Sequence, residues 1–276
     1  MVENNFFTGK EIRNIDLSPL IIAHRGASAH APENTLAALQ MAVETQADGV
    51  EFDVRLAKDG VPVVIHDATL NRTGHRSVSV AALTSDELNK IDVGSWFNIK
   101  HPKRFNSDFA SETIPTLTQV LRLLQNFTGL IYIELKCGEN DYCQLSKAVC
   151  DIISDSPLLP QIIIKSFKLT AISEVKHLLP QVQAAALFQP TIMKFIQRRK
   201  HIVTFARESG ADQISIHRLL VTRKLVALAT EMQMPVTIWT VDNTKWLNRC
   251  RKLGIKALIT NDPAKMLVAR RSEIHK

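Results

Sequence analysis

Residues 21–39 read IIAHRGASAHAPENTLAAL, and this stretch decides between two parallel-sheet architectures. An apolar run ends in His24-Arg25-Gly26, then passes through Pro32-Glu33-Asn34-Thr35 into an amphipathic stretch, the order of strand, loop and helix. An open doubly wound sheet would carry a GxGxxG turn here, and HRGASAHAPEN carries none. The same alternation recurs along the chain. Apolar runs fall at 20–24 (LIIAH), 49–54 (GVEFDV), 130–135 (LIYIEL), 161–167 (QIIIKSF), 183–188 (QAAALF), 213–217 (QISIH), 235–241 (PVTIWTV) and 257–260 (ALIT). Between them lie helical patterns such as NTLAALQMAVETQ, TLTQVLRLLQN, TAISEVKHLL, KFIQRRKHIVTFARESG, KLVALATEMQ and TKWLNRCRKLG. Eight strand-then-helix units in ~250 residues predict an α/β fold of the closed (β/α)8 TIM-barrel type.

One segment departs from the alternation. Asp59-Gly60 separates two apolar runs and marks a hairpin, so 61–66 is expected to fold back as a ribbon over the barrel mouth. From Ala68 to about Glu112 the chain is polar and offers one short helical stretch, SDELNKI. The expectation is a single domain over 1–276, with a small inserted subdomain at about 68–112 after the second strand.

Apolar residues make up 45% of the 276-residue chain, enough for a large core, and the net charge of +7 favours anionic ligands. No dense Lys/Arg block interleaves with aromatics, which argues against nucleic acid, and no stretch is long and apolar enough for membrane insertion. MVENNFFTGKEIRNIDL has no apolar leader core, and Cys137, Cys143, Cys150 and Cys250 form no CxxC pair, so a cytoplasmic protein with reduced thiols is expected. Cys137 reads as a bystander thiol. Neither oligomeric state nor a partner surface is indicated.

Catalytic residues of such a barrel sit at the C-terminal strand ends. There the sequence places His24 and Arg25, Glu51 and Asp53, Glu134 and Lys136, Phe167, His217, Trp239 and Asp262, with His66 on the ribbon. Glu51, Asp53 and Glu134 face one volume, and like charges so close require compensation. A hard divalent cation, Mg²⁺ or Ca²⁺, suits three carboxylates; salt bridges to Arg25, Arg55 and Lys136 without a metal are the alternative. His24 and His66 form a candidate acid–base pair, and Arg25 and Lys136 a clamp for phosphate. His30 and His217 are weaker cases. Glu33 is expected to open the first helix, with Pro32 in its first turn; its role is placement at that terminus, orienting a histidine, or supporting the metal.

Taken in order, HRGASAHAPENT, VEFDVRLAKDGVPVVIHD, LNRTG, IPTL, IELK and WTVD closely resemble the glycerophosphodiester phosphodiesterase family, in its cytoplasmic bacterial form, from about residue 20 to about 265. The resemblance implies hydrolysis of a small-molecule phosphodiester to sn-glycerol 3-phosphate and an alcohol. It implies a general acid/base pair in His24 and His66, and metal ligands in Glu51, Asp53 and Glu134. Phosphate contacts fall to Arg25 and Lys136, Glu33 matches the PENT glutamate, and Trp239 lines the glycerol side. Two departures, Arg72-Thr73-Gly74 and the long basic NIKHPKRFNSDFASE, bear on the leaving alcohol. Lysophospholipase D-type hydrolysis of lysophospholipids is the alternative, to which the Trp96-Phe97 pair would lend an apolar approach. A non-catalytic phosphate-ester binding barrel is a third reading.

Overall fold

The computed structural model describes residues 18–190 and 201–274. Among these, strands β1 (Leu20–His24), β2 (Gly49–Leu56), β3 (Pro62–Val64), β4 (Leu130–Leu135), β5 (Ile162–Ser166), β6 (Gln183–Phe188), β7 (Gln213–His217), β8 (Val236–Trp239) and β9 (Ala257–Thr260) form one sheet. Eight of them are parallel and close on themselves, because β1 pairs with both β9 and β2. Such strands are covered on both faces, which is why they are near-continuous Ile, Val, Leu and Ala runs. Inside the barrel Ile22, Tyr132, Ile163, Ala185, Ala257 and Ile259 pack into one buried cluster. The Tyr132 hydroxyl donates to Gln213 Oε1 at 3.2 Å, so its polar end is satisfied within the core. β3 runs antiparallel to the end of β2, pairing Val54 with Val64, as the Asp59-Gly60 turn predicts.

Helices cover the outside. They are α1 (Leu36–Glu44), α2 (Ser85–Leu88), α3 (Ser95–Lys100), α4 (Leu117–Leu123), α5 (Tyr142–Ile153), α6 (Leu169–Leu178), α7 (His201–Glu208), α8 (Arg223–Glu231), α9 (Lys245–Leu253) and α10 (Pro263–Ile274). The 194–200 half of the pattern KFIQRRKHIVTFARESG lies outside the described residues, and α7 carries the remainder. α1 starts later than the sequence suggests. Thr35 is its cap, accepting from Ala38 N, and its hydroxyl donates to Pro32 O at 2.7 Å. Pro32 and Glu33 therefore lie in the preceding loop rather than in the first turn, which frees Glu33 to face the strand ends.

The segment from Ala68 to Glu112 contains α2, the expected stretch, and also α3, which was not expected. It packs in two places. Leu70, Val80, Leu88, Ile91 and Val93 share a cluster with Val63 and Ile65 around the ribbon. Trp96, Phe97 and Phe109 bury themselves against Ala31 and Ala38 beside the β1–α1 loop, with Phe97 and Phe109 edge to face at 5.6 Å. The Trp96-Phe97 pair is thus interior, at 8% and 0% exposure, and offers no apolar approach to a membrane. Among the described residues no helix is long and apolar enough to cross a membrane.

Candidate active site

Register brings the acidic residues together. His24 lies beside Glu51 across β1 and β2, Asp53 beside Glu134 across β2 and β4, and Glu134 beside Lys165 across β4 and β5. Side chains two apart on a strand share a face, so Glu51, Asp53 and Glu134 converge inside the barrel mouth. All three are buried, and each offers an oxygen within 4.8 Å of the others.

Three cations hold this cluster. Arg25 Nε lies 3.1 Å from Asp53 Oδ2, Lys136 Nζ lies 3.2 Å from Asp53 Oδ1 and also touches Glu134, and Lys165 Nζ lies 2.6 Å from Glu51 Oε1 and 3.2 Å from Glu134 Oε2. Lys165 replaces Arg55 in the expected set of ion pairs. Arg55 instead donates to the backbone carbonyls of His66 and Lys136, at 2.8 and 3.2 Å, tying the ribbon to β4. Burial alone would push the Glu51 and Asp53 carboxyls up, but Lys165 and His24 at Glu51, and Lys136 and Arg25 at Asp53, outweigh it and hold both below the usual range. Burial would likewise lower Lys165, and Glu51 and Glu134 overcome it, so the ammonium stays charged.

Glu51 Oε1 faces the Lys165 ammonium and Glu134 Oε1 the Lys136 ammonium, as charge pairs inside the cluster. Three buried carboxylates, each with an oxygen within 4.8 Å of the others, form the hard oxygen donor set that a divalent cation takes. The residues present fit such an ion.

The two histidines are fixed differently. His24 Nδ1 is 2.7 Å from Asn261 Oδ1, and Asn261 Nδ2 donates to Asp242 Oδ2 at 2.8 Å, which turns the amide oxygen toward the imidazole. The His24 proton is therefore assigned to Nδ1, leaving Nε2 as an acceptor. Burial, assisted by Arg25, lowers His24 from 6.5, outweighing the opposing pull of Glu51. His66 Nδ1 donates to Asp67 Oδ1 at 2.6 Å, on the loop that follows β3. His24, Arg25, His66, Glu134, Lys136, Lys165, Phe167, Gln189, Trp239 and Thr240 line a single cleft of about 130 Å³.

Trp239 stands at its wall, edge to face with Phe167 at 5.6 Å and with His217 at 5.2 Å. His217 itself accepts from Leu219 N, and His30 pairs with Asp262 at 3.1 Å, so neither joins the cluster. Burial pushes the Cys137 thiol up to about 11, an inert thiol beside the site. Among the described residues the partners of Glu33 are arginines, not a histidine. Arg25 Nη1 donates to Glu33 at 2.7 Å, and Arg72 reaches it with two nitrogens at 2.8 and 2.9 Å.

Sequence reasoning missed Lys165, Asn261, Asp67 and Asn34. Asn34 sits in the left-handed region at φ +61° and exchanges hydrogen bonds with Asp53 through both ends of its amide. A lysine inside the apolar run QIIIKSF was the available signal for Lys165, as was the carboxylate beside His66 for Asp67.

Comparison with known proteins gives the family. The Glycerophosphoryl diester phosphodiesterase family matches residues 24–265 of the chain. A glycerophosphodiester phosphodiesterase of Caldanaerobacter subterraneus is 32% identical over 253 residues, covering 91% of this chain and 97% of that protein. Among solved structures, a phosphodiesterase from Oleispira antarctica in complex with the product sn-glycerol-3-phosphate superposes with a TM-score of 0.79 at 26% identity, covering 91% of this chain and 96% of that one. A glycerophosphodiester phosphodiesterase from Agrobacterium tumefaciens shares the fold at 23% identity and a TM-score of 0.73, covering 91% and 99%. The chain belongs to the glycerophosphoryl diester phosphodiesterase family and is one of its enzymes.

Proposed function

We propose that the enzyme hydrolyses small glycerophosphodiesters to sn-glycerol 3-phosphate and an alcohol, with His24 and His66 as its proton-transfer pair. One observation carries this reading: two imidazoles, each oriented through Nδ1, open onto the cleft that Glu134, Lys136, Lys165 and Arg25 also line. Glu51, Asp53 and Glu134 would hold a divalent cation, Mg²⁺ or Ca²⁺. That ion would supply positive charge to a nonbridging phosphate oxygen. Arg25 and Lys136 bind the remaining phosphate charge, Glu33 holds Arg25 in place, and Trp239 with Phe167 forms the apolar wall for glycerol. The segment at about 68–112 serves as an inserted subdomain of a single domain spanning 1–276. The four free thiols accord with a reducing, cytoplasmic location.

The partners of the two histidines support one assignment of their roles. His24 is held neutral by burial with Nε2 unprotonated, so it takes the proton of the attacking hydroxyl. His66 enters the step as the imidazolium, with Nδ1–H held by Asp67, and becomes the neutral imidazole when it hands its Nε2 proton to the leaving oxygen; the Asp67 carboxylate favours that starting cation.

The test is release of glycerol 3-phosphate from glycerophosphocholine after chelation with EDTA, then with Mg²⁺ or Ca²⁺ restored. Release that requires the added ion is expected. His24→Ala and His66→Ala should each cost roughly 10²–10⁴ in rate. Near-normal turnover in both variants excludes the proposed chemistry, and release from vesicle-bound lysophosphatidylcholine exceeding that from glycerophosphocholine reverses the choice of substrate.

A further inference from the structure

Arg72 lies in the inserted segment, outside the cleft, yet its guanidinium joins two of the site's supporting carboxylates. Nε donates to Asp67 Oδ2 at 2.6 Å, while Nη1 and Nη2 donate to Glu33 Oε2 and Oε1 at 2.9 and 2.8 Å. Each carboxylate also accepts from a second residue of the site. Asp67 Oδ1 receives His66 Nδ1 at 2.6 Å, and Glu33 Oε1 receives Arg25 Nη1 at 2.7 Å. One planar fork therefore fixes the plane of both carboxylates, and through them an imidazole and the guanidinium paired with Asp53.

The fork itself is held by the insertion. Leu70 is fully buried in the cluster around the ribbon, Gly74 N donates to Leu70 O, and the turn between them presents Arg72. The guanidinium lies 5.6 Å from the Trp96 ring, whose Nε1 is anchored on Val93 O at 2.7 Å. An exposed ion pair contributes little on its own. Here a bidentate fork shares two acids in a chain of six side chains, His66–Asp67–Arg72–Glu33–Arg25–Asp53.

We infer that Arg72 is a positioning residue that couples the inserted segment to the reaction, setting the orientation of His66 through Asp67 and of Arg25 through Glu33. This rests on the proposed roles of His66 and Arg25. Lysine cannot replace it, because a single ammonium cannot span both carboxylates in the plane of a fork.

The experiment measures kcat and KM for glycerophosphocholine, with the activating ion present, and Tm, for wild type, Arg72→Ala, Arg72→Lys, Asp67→Asn and the double variant Arg72→Ala/Asp67→Asn. Loss of an outer partner of this kind should lower kcat by about 10–100-fold in Arg72→Ala, with KM moving only a few-fold. Arg72→Lys should recover only part of that loss. Asp67→Asn should cost less on the Arg72→Ala background than in wild type, the mark of two residues acting on one group. Wild-type kcat in Arg72→Ala overturns the inference, as do strictly additive losses. If Arg72→Ala fails to fold, Arg72→Lys decides alone: a folded, slowed enzyme supports the inference and an unslowed one overturns it. A wild type that releases no glycerol 3-phosphate removes the proposed function and this inference together, whereas an active wild type indifferent to Arg72 removes only the inference.

Discussion

Lys165 shows how one residue sets the character of the site. It is 2% exposed, lies between Glu51 and Glu134, and completes a balance of three carboxylates against Arg25, Lys136 and itself. Replacing it by Met keeps the volume and removes the charge, leaving two buried carboxylates short of a partner. Breaking a buried pair in this way costs about 3–5 kcal/mol, so Lys165→Met should melt well below wild type without metal. Adding Mg²⁺ or Ca²⁺ should restore more Tm to the variant than to wild type, because the ion then supplies the missing charge. An unchanged melting curve would falsify the account of Lys165 as the counter-ion of this cluster. The same residue marks the limit of what was legible beforehand. His24, His66, Glu51, Asp53 and Glu134 were readable as a candidate set because strand ends and two-residue spacing specify a shared face. Lys165 sits in an apolar run, and only the register of β5 on β4 shows that it meets Glu134. Asn261 is equally hidden, since its contact with His24 spans nearly the whole chain.

At the scale of elements, the turn after β1 carries the tightest constraint. Arg25 and Gly26 both have positive φ, +54° and +78°, and Arg25 N donates to Glu51 Oε2 at 3.0 Å. This curl points a backbone donor and the Arg25 guanidinium into the acidic cluster, at the cost of strain in a non-glycine residue. Gly26 has no alternative: an added Cβ would lie 2.4 Å from the backbone carbon of Ala38 in α1. Gly26→Ala should therefore lose about 4 kcal/mol or more, at the extreme of single substitutions, read as a collapse of Tm or of soluble yield. A variant that melts like wild type would mean that α1 can retreat from the turn. The barrel was legible because parallel strands are apolar on both faces and stand out as short uninterrupted runs. α3 was not, because SWFNIK is short and its order comes from ring packing with Phe109, whose distance in sequence hides it. The boundary of α1 was misplaced for a related reason: Pro32 suits a first turn, but the Thr35 hydroxyl closes back on Pro32 O and defers the helix.

For the molecule as a whole, the barrel mouth concentrates acids that are ionised only because the fold surrounds them with cations. Burial would raise Glu33 and Asp67, but Arg72 and Arg25 at Glu33, and Arg72 and His66 at Asp67, hold both below their ordinary 4.5 and 3.8. Glu51 and Asp53 are depressed in the same way. Each of these carboxyls binds its proton more weakly folded than unfolded, so at acid pH the unfolded chain holds more protons and gains on the folded one. Their stabilisation is complete above about pH 4.5, near the unfolded values, and is lost as the pH falls through the depressed folded values. Tm should accordingly be flat above about pH 7 and ease downward below about pH 6.5, because burial lowers His24 and the unfolded chain then binds the extra proton. It should fall more steeply below about pH 4.5 as the carboxyls add to it. Because the acids cluster at one end of the barrel, loss of that end should lead. Activity measured after return to neutral pH, and proteolysis of the 68–112 segment, should report opening before the helical circular dichroism of the barrel declines. Arg72→Ala should move that first opening to higher pH, since it removes the cation that depresses both Glu33 and Asp67. Coincident loss of all signals, unmoved by Arg72→Ala, would place the acid sensitivity in the barrel rather than in the seam between barrel and insertion.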